Sequence, residues 1–311
     1  MLRMGVCVLA VVSLTACAAR GAERPVTQAA PSSTAGVAQH DSLENYMGKV
    51  RAISAGSRPV STSARTMEGA DSSLAAALLA VELRPSAAAR RALAAEYVRV
   101  GILDRAHELF RTVVAMDHRD AAAWDGLARI WRDWRLPHLG LTDAHRAVYF
   151  APESPVVHNT LGTLLQAMGR RKEARASFTR ALQLDPSAAY ALNNLCYGWF
   201  LEGRVPEAIA ACRRALSLQP GLQSARNNLA LVYAVDGDLH AAAETFATAG
   251  EAGRAEFNMG IVHLARGDYV EAVKAFDAAQ ARRANFRAAR THAREARRLA
   301  SAAGAKESGA P

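Results

Sequence analysis

The sequence is poor in several features that whole classes of proteins depend on. Its 311 residues include 4 cysteines and 6% aromatic residues. No run of alternating β-branched residues is present, so the sequence predicts no β-sheet. Beyond the N-terminus, no apolar stretch approaches the roughly 20 residues that a membrane-spanning helix needs.

Patterns typical of catalysis, cofactor binding and metal binding are missing too. His107 and Glu108 begin like a zinc-protease helix motif, but Arg111 stands where the second histidine ligand is required. The glycines at 162 and 169 lack the spacing of a phosphate-binding loop, and the nine histidines are scattered singly. We therefore predict a protein that is not an enzyme, with no cofactor and no metal.

What the chain does have is a period of about 34 residues, from residue 87 to near the C-terminus. One copy of the pattern contains Leu161, Gly162, Leu165, Gly169, Ala174, Phe178, Ala181 and Pro186, and the next contains Leu195, Cys196, Trp199, Gly203, Ala208, Cys212, Ala215 and Pro220. The bulky residues of the first half have helical spacing, glycine near position 15 ends that helix, and proline at position 32 ends a second one. Small residues at positions 8 and 20 let the two helices approach closely.

This pattern resembles the tetratricopeptide repeat (TPR) family over residues 87–286. The resemblance implies an all-α, helix-turn-helix solenoid wound into a right-handed superhelix, with about six repeats and a C-terminal end helix. We place this region at 70–303 and a short tail at 304–311. Gly140, after Leu136 and Pro137, breaks the pattern and predicts a late start for one second helix. The last unit is predicted to begin early, near Gly253.

The N-terminus resembles that of a bacterial lipoprotein. Residues 1–16 have a basic start and a short apolar core, and Leu14–Cys17 is similar to a lipobox. The resemblance implies lipidation of Cys17, cleavage before it and, because Ala18 follows, the periplasmic face of the outer membrane. The alternative is an ordinary signal peptide cleaved between Ala16 and Ala19. Residues 17–69 are rich in small and polar residues, as in a flexible tether.

Cys196 and Cys212 occupy positions 8 and 24 of one unit, on the facing sides of its two helices. In an oxidising periplasm they are candidates for a disulfide. The alternative is that both are small apolar core residues.

The TPR resemblance implies that the first helix of each unit lines a binding groove. Paired asparagines there would clamp the backbone of an extended peptide and aromatic rings would anchor it. The candidates are Asn159, Tyr190, Asn193, Asn194, Tyr197, Asn227, Asn228, Phe257 and Asn258. The alternative is that asparagine at position 6 of a unit, which is common in the TPR family, only supports the turn between neighbouring repeats.

The formal net charge is +9, and much of the excess lies near the C-terminus. Arg287, Arg290 and Arg294 share one stripe of the predicted end helix, while Ala289 and Ala293 lie on another face. The stripe is a candidate basic surface for an acidic partner or an anionic surface. The alternative is a solvated end helix.

Together these observations predict a scaffold that binds proteins and is anchored to a membrane by lipid, with no nucleic-acid partner. Similar TPR lipoproteins serve the assembly of pili, so a secretin or a pilin is the expected partner. The alternative is an adaptor that recruits cell-wall (peptidoglycan) enzymes.

Overall fold

The computed structural model describes residues 72–248 and 252–307, with side chains up to Gly304. The predicted signal peptide 1–16, Cys17 and the tether 17–69 lie outside the described residues, as do residues 308–311. The described residues divide into two compact units, one ending at Gly126 and one beginning at Leu127. They form 14 helices and contain no strand.

The first unit contains three helices and the start of a fourth. These helices are α1 (Ser72–Leu83), α2 (Ala87–Arg99), α3 (Leu103–Met116) and α4 (Ala121–Asp133). The Ser86 hydroxyl caps α2 by accepting a hydrogen bond from the Ala89 amide at 3.1 Å. α2 packs on both α1 and α3, and Tyr97 and Phe110 are buried there.

The second unit continues from the end of α4 as a series of helices that each pack on the next. These helices are α5 (Pro137–Phe150), α6 (Pro155–Ala167), α7 (Arg171–Leu184), α8 (Ala189–Leu201), α9 (Val205–Leu218), α10 (Gln223–Asp236), α11 (Leu239–Ala247), α12 (Arg254–Arg266), α13 (Tyr269–Arg282) and α14 (Arg287–Glu307). α8 also contacts α6 and α10, so first helices of successive repeats are neighbours.

The helix boundaries follow the 34-residue frame. First helices begin at residues 87, 121, 155, 189 and 223, and each second helix begins 16 residues later, at 103, 137, 171, 205 and 239. The predicted late start of α5 is wrong, because Pro137 takes the first helical position and presets the backbone for a helix. With α12 and α13 the described residues contain six helix pairs, which confirms the predicted all-α repeat fold.

Small residues face large ones where the two helices of a repeat meet. A Cβ atom on Gly162 would lie 2.5 Å from the Phe178 ring, and one on Gly260 would lie 2.6 Å from the Phe276 ring. Both phenylalanines are fully buried. Glycine is therefore required at these two positions, because any side chain would push the ring and its helix outwards.

The last repeat begins early, as predicted. α11 ends at Ala247, and Gly253, with a φ of 77°, leads into α12. The end helix α14 then packs on α13 through Ala289, Ala293 and Ala296, which are all 0% exposed. It continues to Glu307, beyond the boundary predicted at residue 303.

Candidate protein-binding face

Two asparagine pairs connect the first helices of three successive repeats. The side-chain amide of Asn194 on α8 donates to Asn159 Oδ1 on α6 at 2.7 Å. The amide of Asn228 on α10 donates to Asn193 Oδ1 on α8 at 2.9 Å. All four residues are half-buried, so the pairs lie where solvent or another chain can still reach them.

These pairs leave hydrogen-bonding capacity unused. An asparagine amide offers two donors and a carbonyl oxygen that can accept twice. Each pair uses one donor and one acceptor site, so Asn159 and Asn193 keep their own amide donors while Asn194 and Asn228 keep their carbonyl oxygens. The pairs also hold the side chains in fixed positions, which lowers the entropy lost when a ligand binds.

Two tyrosines of α8 lie beside the asparagine pairs. Tyr190 and Tyr197 are both half-buried, and the Tyr197 ring stacks on Phe200 with centroids 6.2 Å apart. Phe200 is buried, so it supports the Tyr197 ring from the core side. We name the set Asn159, Tyr190, Asn193, Asn194, Tyr197 and Asn228 the asparagine face.

The other predicted groove residues lie outside this set. Asn227 is half-buried and accepts from Gln223 Nε2 on its own helix at 3.3 Å. Asn258 is half-buried on α12. Phe257 is 3% exposed, and its ring centroid lies 4.8 Å from that of Phe286. Phe257 therefore belongs to the core beneath the end helix, and its assignment to an open groove is corrected.

The structure joins Cys196 and Cys212 in a disulfide between α8 and α9. Both cysteines are 0% exposed and lie in one apolar cluster with Phe200 and Leu229. Of the two interpretations of this pair, the covalent bond is the one present.

The candidate basic surface lies on the solvent side of α14. Arg287, Arg290 and Arg294 are all exposed, and Arg290 donates to the Ala284 carbonyl at 3.3 Å. Neighbouring arginines are neutralised, since Arg297 pairs with Asp277 at 2.6 Å and Arg298 pairs with Glu295 at 2.6 Å. Arg282 likewise pairs with Glu256 at 2.6 Å.

A cluster around Trp199 is a feature that sequence analysis treated only as a packing position. The guanidinium groups of Arg175 and Arg204 lie 4.5 Å and 4.1 Å from the Trp199 ring centre, within the range of cation–π attraction. Arg175 also pairs with Glu202 at 2.7 Å. The cluster connects α7 to α8. The sequence contains no local signal for it, because Arg175 lies 24 residues before Trp199.

The histidine of the incomplete zinc-protease motif is a core residue. His107 is 7% exposed, and its burial, assisted by the charge of Arg111, lowers its pKa to about 4. In the described part of the chain, no three His, Cys, Asp or Glu residues are grouped as a metal site would need. No helix there is long and apolar enough to cross a membrane.

The paired helices and the face made by their first members define a TPR-type solenoid, a class whose members typically bind other proteins and are not enzymes. Residues 159–222 match the tetratricopeptide repeat family model. No curated protein matches the sequence.

Solved structures share this fold at low sequence identity. One is a chain of the APC/C hetero-tetramer Cut9–Hcn1, with a TM-score of 0.61 and 18% identity, covering 71% of this chain and 45% of that one. PilW, a type IV pilus biogenesis factor, has a TM-score of 0.57 and 22% identity, with 66% and 97% covered. Pseudomonas aeruginosa PilF has a TM-score of 0.53 and 18% identity, with 67% and 95% covered. This chain thus matches less than half of the Cut9–Hcn1 chain.

Proposed function

We propose that this protein is a non-enzymatic scaffold that holds an extended segment of a protein partner on its asparagine face. The observation that carries the proposal is the pair of hydrogen bonds from Asn194 to Asn159 and from Asn228 to Asn193. They align amide groups along the first helices of three successive repeats, with donors and acceptors left over. A peptide backbone presents the same two kinds of group at every residue, so the chemistry of the two surfaces is complementary.

The proposal places this scaffold at the periplasmic face of the bacterial outer membrane, anchored by lipid on Cys17. The support is the sequence Leu14-Thr15-Ala16-Cys17 after a short apolar segment. A lipid chain adds about 0.8 kcal/mol of membrane affinity for each buried methylene, so several chains on one cysteine anchor a protein stably.

The proposed role is in the assembly of a pilus or a secretion machinery. Its support is the likeness to PilW, which spans 97% of that chain at a TM-score of 0.57. At 22% identity this likeness concerns the fold, so the partner has to be identified by experiment. A secretin or a pilin is the expected partner.

The test is to isolate the full-length protein from its own membranes after chemical cross-linking and to identify what is attached. One variant carries Asn193→Ala, Asn194→Ala, Tyr197→Ala and Asn228→Ala. The matched control carries Arg287→Ala, Arg290→Ala and Arg294→Ala, which changes an exposed surface elsewhere. Circular dichroism of both variants checks that the helices remain formed.

A secretin or pilin that is lost only from the first variant is the expected result. Recovery of a peptidoglycan enzyme instead would replace the pilus role by the adaptor role. Loss from the arginine variant alone would move the binding surface to α14 and overturn the assignment of the asparagine face. Cys17→Ser is expected to remove the lipid and move the protein out of the membrane fraction. An unchanged fractionation would refute the lipid anchor.

A further inference from the structure

The disulfide occupies a place that other repeats fill with a phenylalanine ring. In the repeat of α6 and α7, Gly162 faces Phe178, and in the repeat of α12 and α13, Gly260 faces Phe276. The two members of each pair are 16 residues apart. Cys196 and Cys212 are separated by the same 16 residues in the repeat of α8 and α9. The covalent bond thus stands where ring packing connects the two helices elsewhere.

Without that bond the repeat of α8 and α9 would have neither a phenylalanine ring nor a cross-link between its two helices. A phenylalanine ring contributes many more contact atoms than a cysteine side chain, and protein interiors are packed with few voids. Two separate thiols would replace neither the ring contacts nor the cross-link. Reduction therefore weakens the junction of α8 with α9, and in a repeat array each repeat is stabilised by its neighbours.

The burial of the two sulfur-bearing residues restricts when the bond can form. Both cysteines are 0% exposed in the folded repeat. Thiol–disulfide exchange needs direct contact between the attacking and the attacked sulfur. An oxidising protein cannot make this contact once α8 and α9 have closed on one another.

We propose that Cys196 and Cys212 are the substrate dithiol of a protein-disulfide oxidant, which acts on the chain before this repeat closes. The proposal rests on the proposed export, because oxidising compartments are where such bonds form and persist. It adds a second partner class, a thiol oxidase, whose action stabilises this repeat.

The chemistry balances as two exchange steps. The thiolate of one cysteine attacks the oxidant's disulfide, forming a mixed disulfide and releasing one thiolate of the oxidant. The thiolate of the other cysteine then attacks the chain's own sulfur in the mixed disulfide. This step forms the Cys196–Cys212 bond and releases the second thiolate. The chain loses two protons and two electrons, and the oxidant's disulfide is reduced to a dithiol.

The structural part of the proposal is tested by thermal unfolding of the full-length protein in two forms, native and reduced. The reduced form is made by unfolding the chain in urea with dithiothreitol and refolding it in the reductant, because the buried bond is shielded in the folded chain. Reduction is expected to lower the Tm on the order of 5–10 °C. Cys196→Ala/Cys212→Ala should be as unstable as the reduced protein with or without this treatment. Cys196→Gly/Cys212→Phe, which restores the pair seen at Gly162 and Phe178, should recover stability and no longer respond to the treatment. A reduced and refolded protein that has the Tm of the native protein would overturn the proposal.

The oxidation itself is tested in cells with a Cys7→Ser/Cys17→Ser chain, which retains two of the 4 cysteines. Acid trapping and maleimide–polyethylene glycol labelling should add no label before reduction and two labels after it. Pulse-labelled chains should be oxidised before they become resistant to protease. Two free thiols in the exported chain, or oxidation after resistance appears, would refute the proposal.

These outcomes are separable from those of the scaffold proposal. A chain that is oxidised but captures no partner leaves the thiol oxidase inference standing and removes the scaffold role. A chain that binds its partner with both thiols free supports the scaffold role and removes the thiol oxidase inference.

Discussion

A Cβ atom placed on Gly140 would lie 2.9 Å from the Cβ of Trp131, and equally close to the Ala128 carbonyl oxygen. Position 20 carries alanine in the repeats on either side, at Ala106 and Ala174. Here α5 approaches α4 so closely that the position has no room for a methyl group. Gly140 is thus an adaptation to the close approach of α5 to α4 at Ala128 and Trp131, within an unbroken helix.

Gly140→Ala is expected to destabilise the protein by about 1–3 kcal/mol, because overpacking outweighs the gain of up to about 1 kcal/mol in helix propensity. Urea unfolding measures the change. The control is Gly198→Ala in α8, where the nearest atom to the new methyl group is the end of the flexible Gln166 side chain, at 3.4 Å. That variant should be as stable as the native protein or more so. A stabilised Gly140→Ala would mean that α5 packs less closely on α4 than the structure indicates.

The fold was predictable because the 34-residue period places prolines and glycines, which end helices locally, at fixed positions. Pro186 and Pro220 mark where second helices end, and Gly169 and Gly203, with φ of 76° and 72°, end first helices. The error at α5 came from treating Gly140 as a helix breaker. The glycine instead allows α5 to lie close to Ala128 and Trp131 of α4, which is a tertiary relationship that the local sequence does not contain.

The site was less predictable because the same repeat position can face different neighbours. Asn193 and Phe257 both occupy position 5 of their units. Asn193 lies on the face shared with α10, whereas Phe257 is covered by Phe286, which precedes the end helix. The disulfide was left open for a related reason, since a spacing of 16 residues serves equally for Gly162 with Phe178 and for two bonded sulfurs.

The hydrogen bond between Asn194 and Asn159 is expected to couple neighbouring repeats. Each single alanine variant should lose about 0.5–1.5 kcal/mol of unfolding free energy, and the double variant should lose less than the sum, because both singles remove the same bond. Urea unfolding of the native protein, the two single variants and the double variant measures this double-mutant cycle. Strict additivity would show that the 2.7 Å contact contributes nothing to stability.

Burial of His107 predicts a loss of stability at mildly acidic pH. Its pKa of about 4 in the folded chain lies below the ordinary 6.5, so the unfolded chain binds the proton more tightly. The stability that neutral His107 contributes to the folded chain is fully present above pH 6.5. It is lost as the pH falls towards 4. The expected loss is about 3 kcal/mol over this interval.

The measurement for His107 is the unfolding free energy at several pH values from 7 to 4, for the native protein and for His107→Gln. Other groups titrate in both proteins, so the difference between the two pH profiles isolates His107. The native profile should fall more steeply. Parallel profiles would show that His107 is protonated as easily when folded as when unfolded.

The packing of the end helix predicts opposite outcomes for two adjacent substitutions. Ala293 is 0% exposed against the last repeat, while Arg294 is exposed on the far side of α14. Ala293→Asp would bury an unpaired carboxylate, so the end helix should detach or the protein should lose on the order of 3 kcal/mol of stability. Arg294→Asp should change stability by no more than about 0.5 kcal/mol.

Limited trypsin digestion reports the difference, because α14 carries several arginines that become cleavable once it leaves α13. The Ala293→Asp chain should be cut there much faster than the Arg294→Asp chain, and equal rates would mean that α14 does not present its alanines to the core.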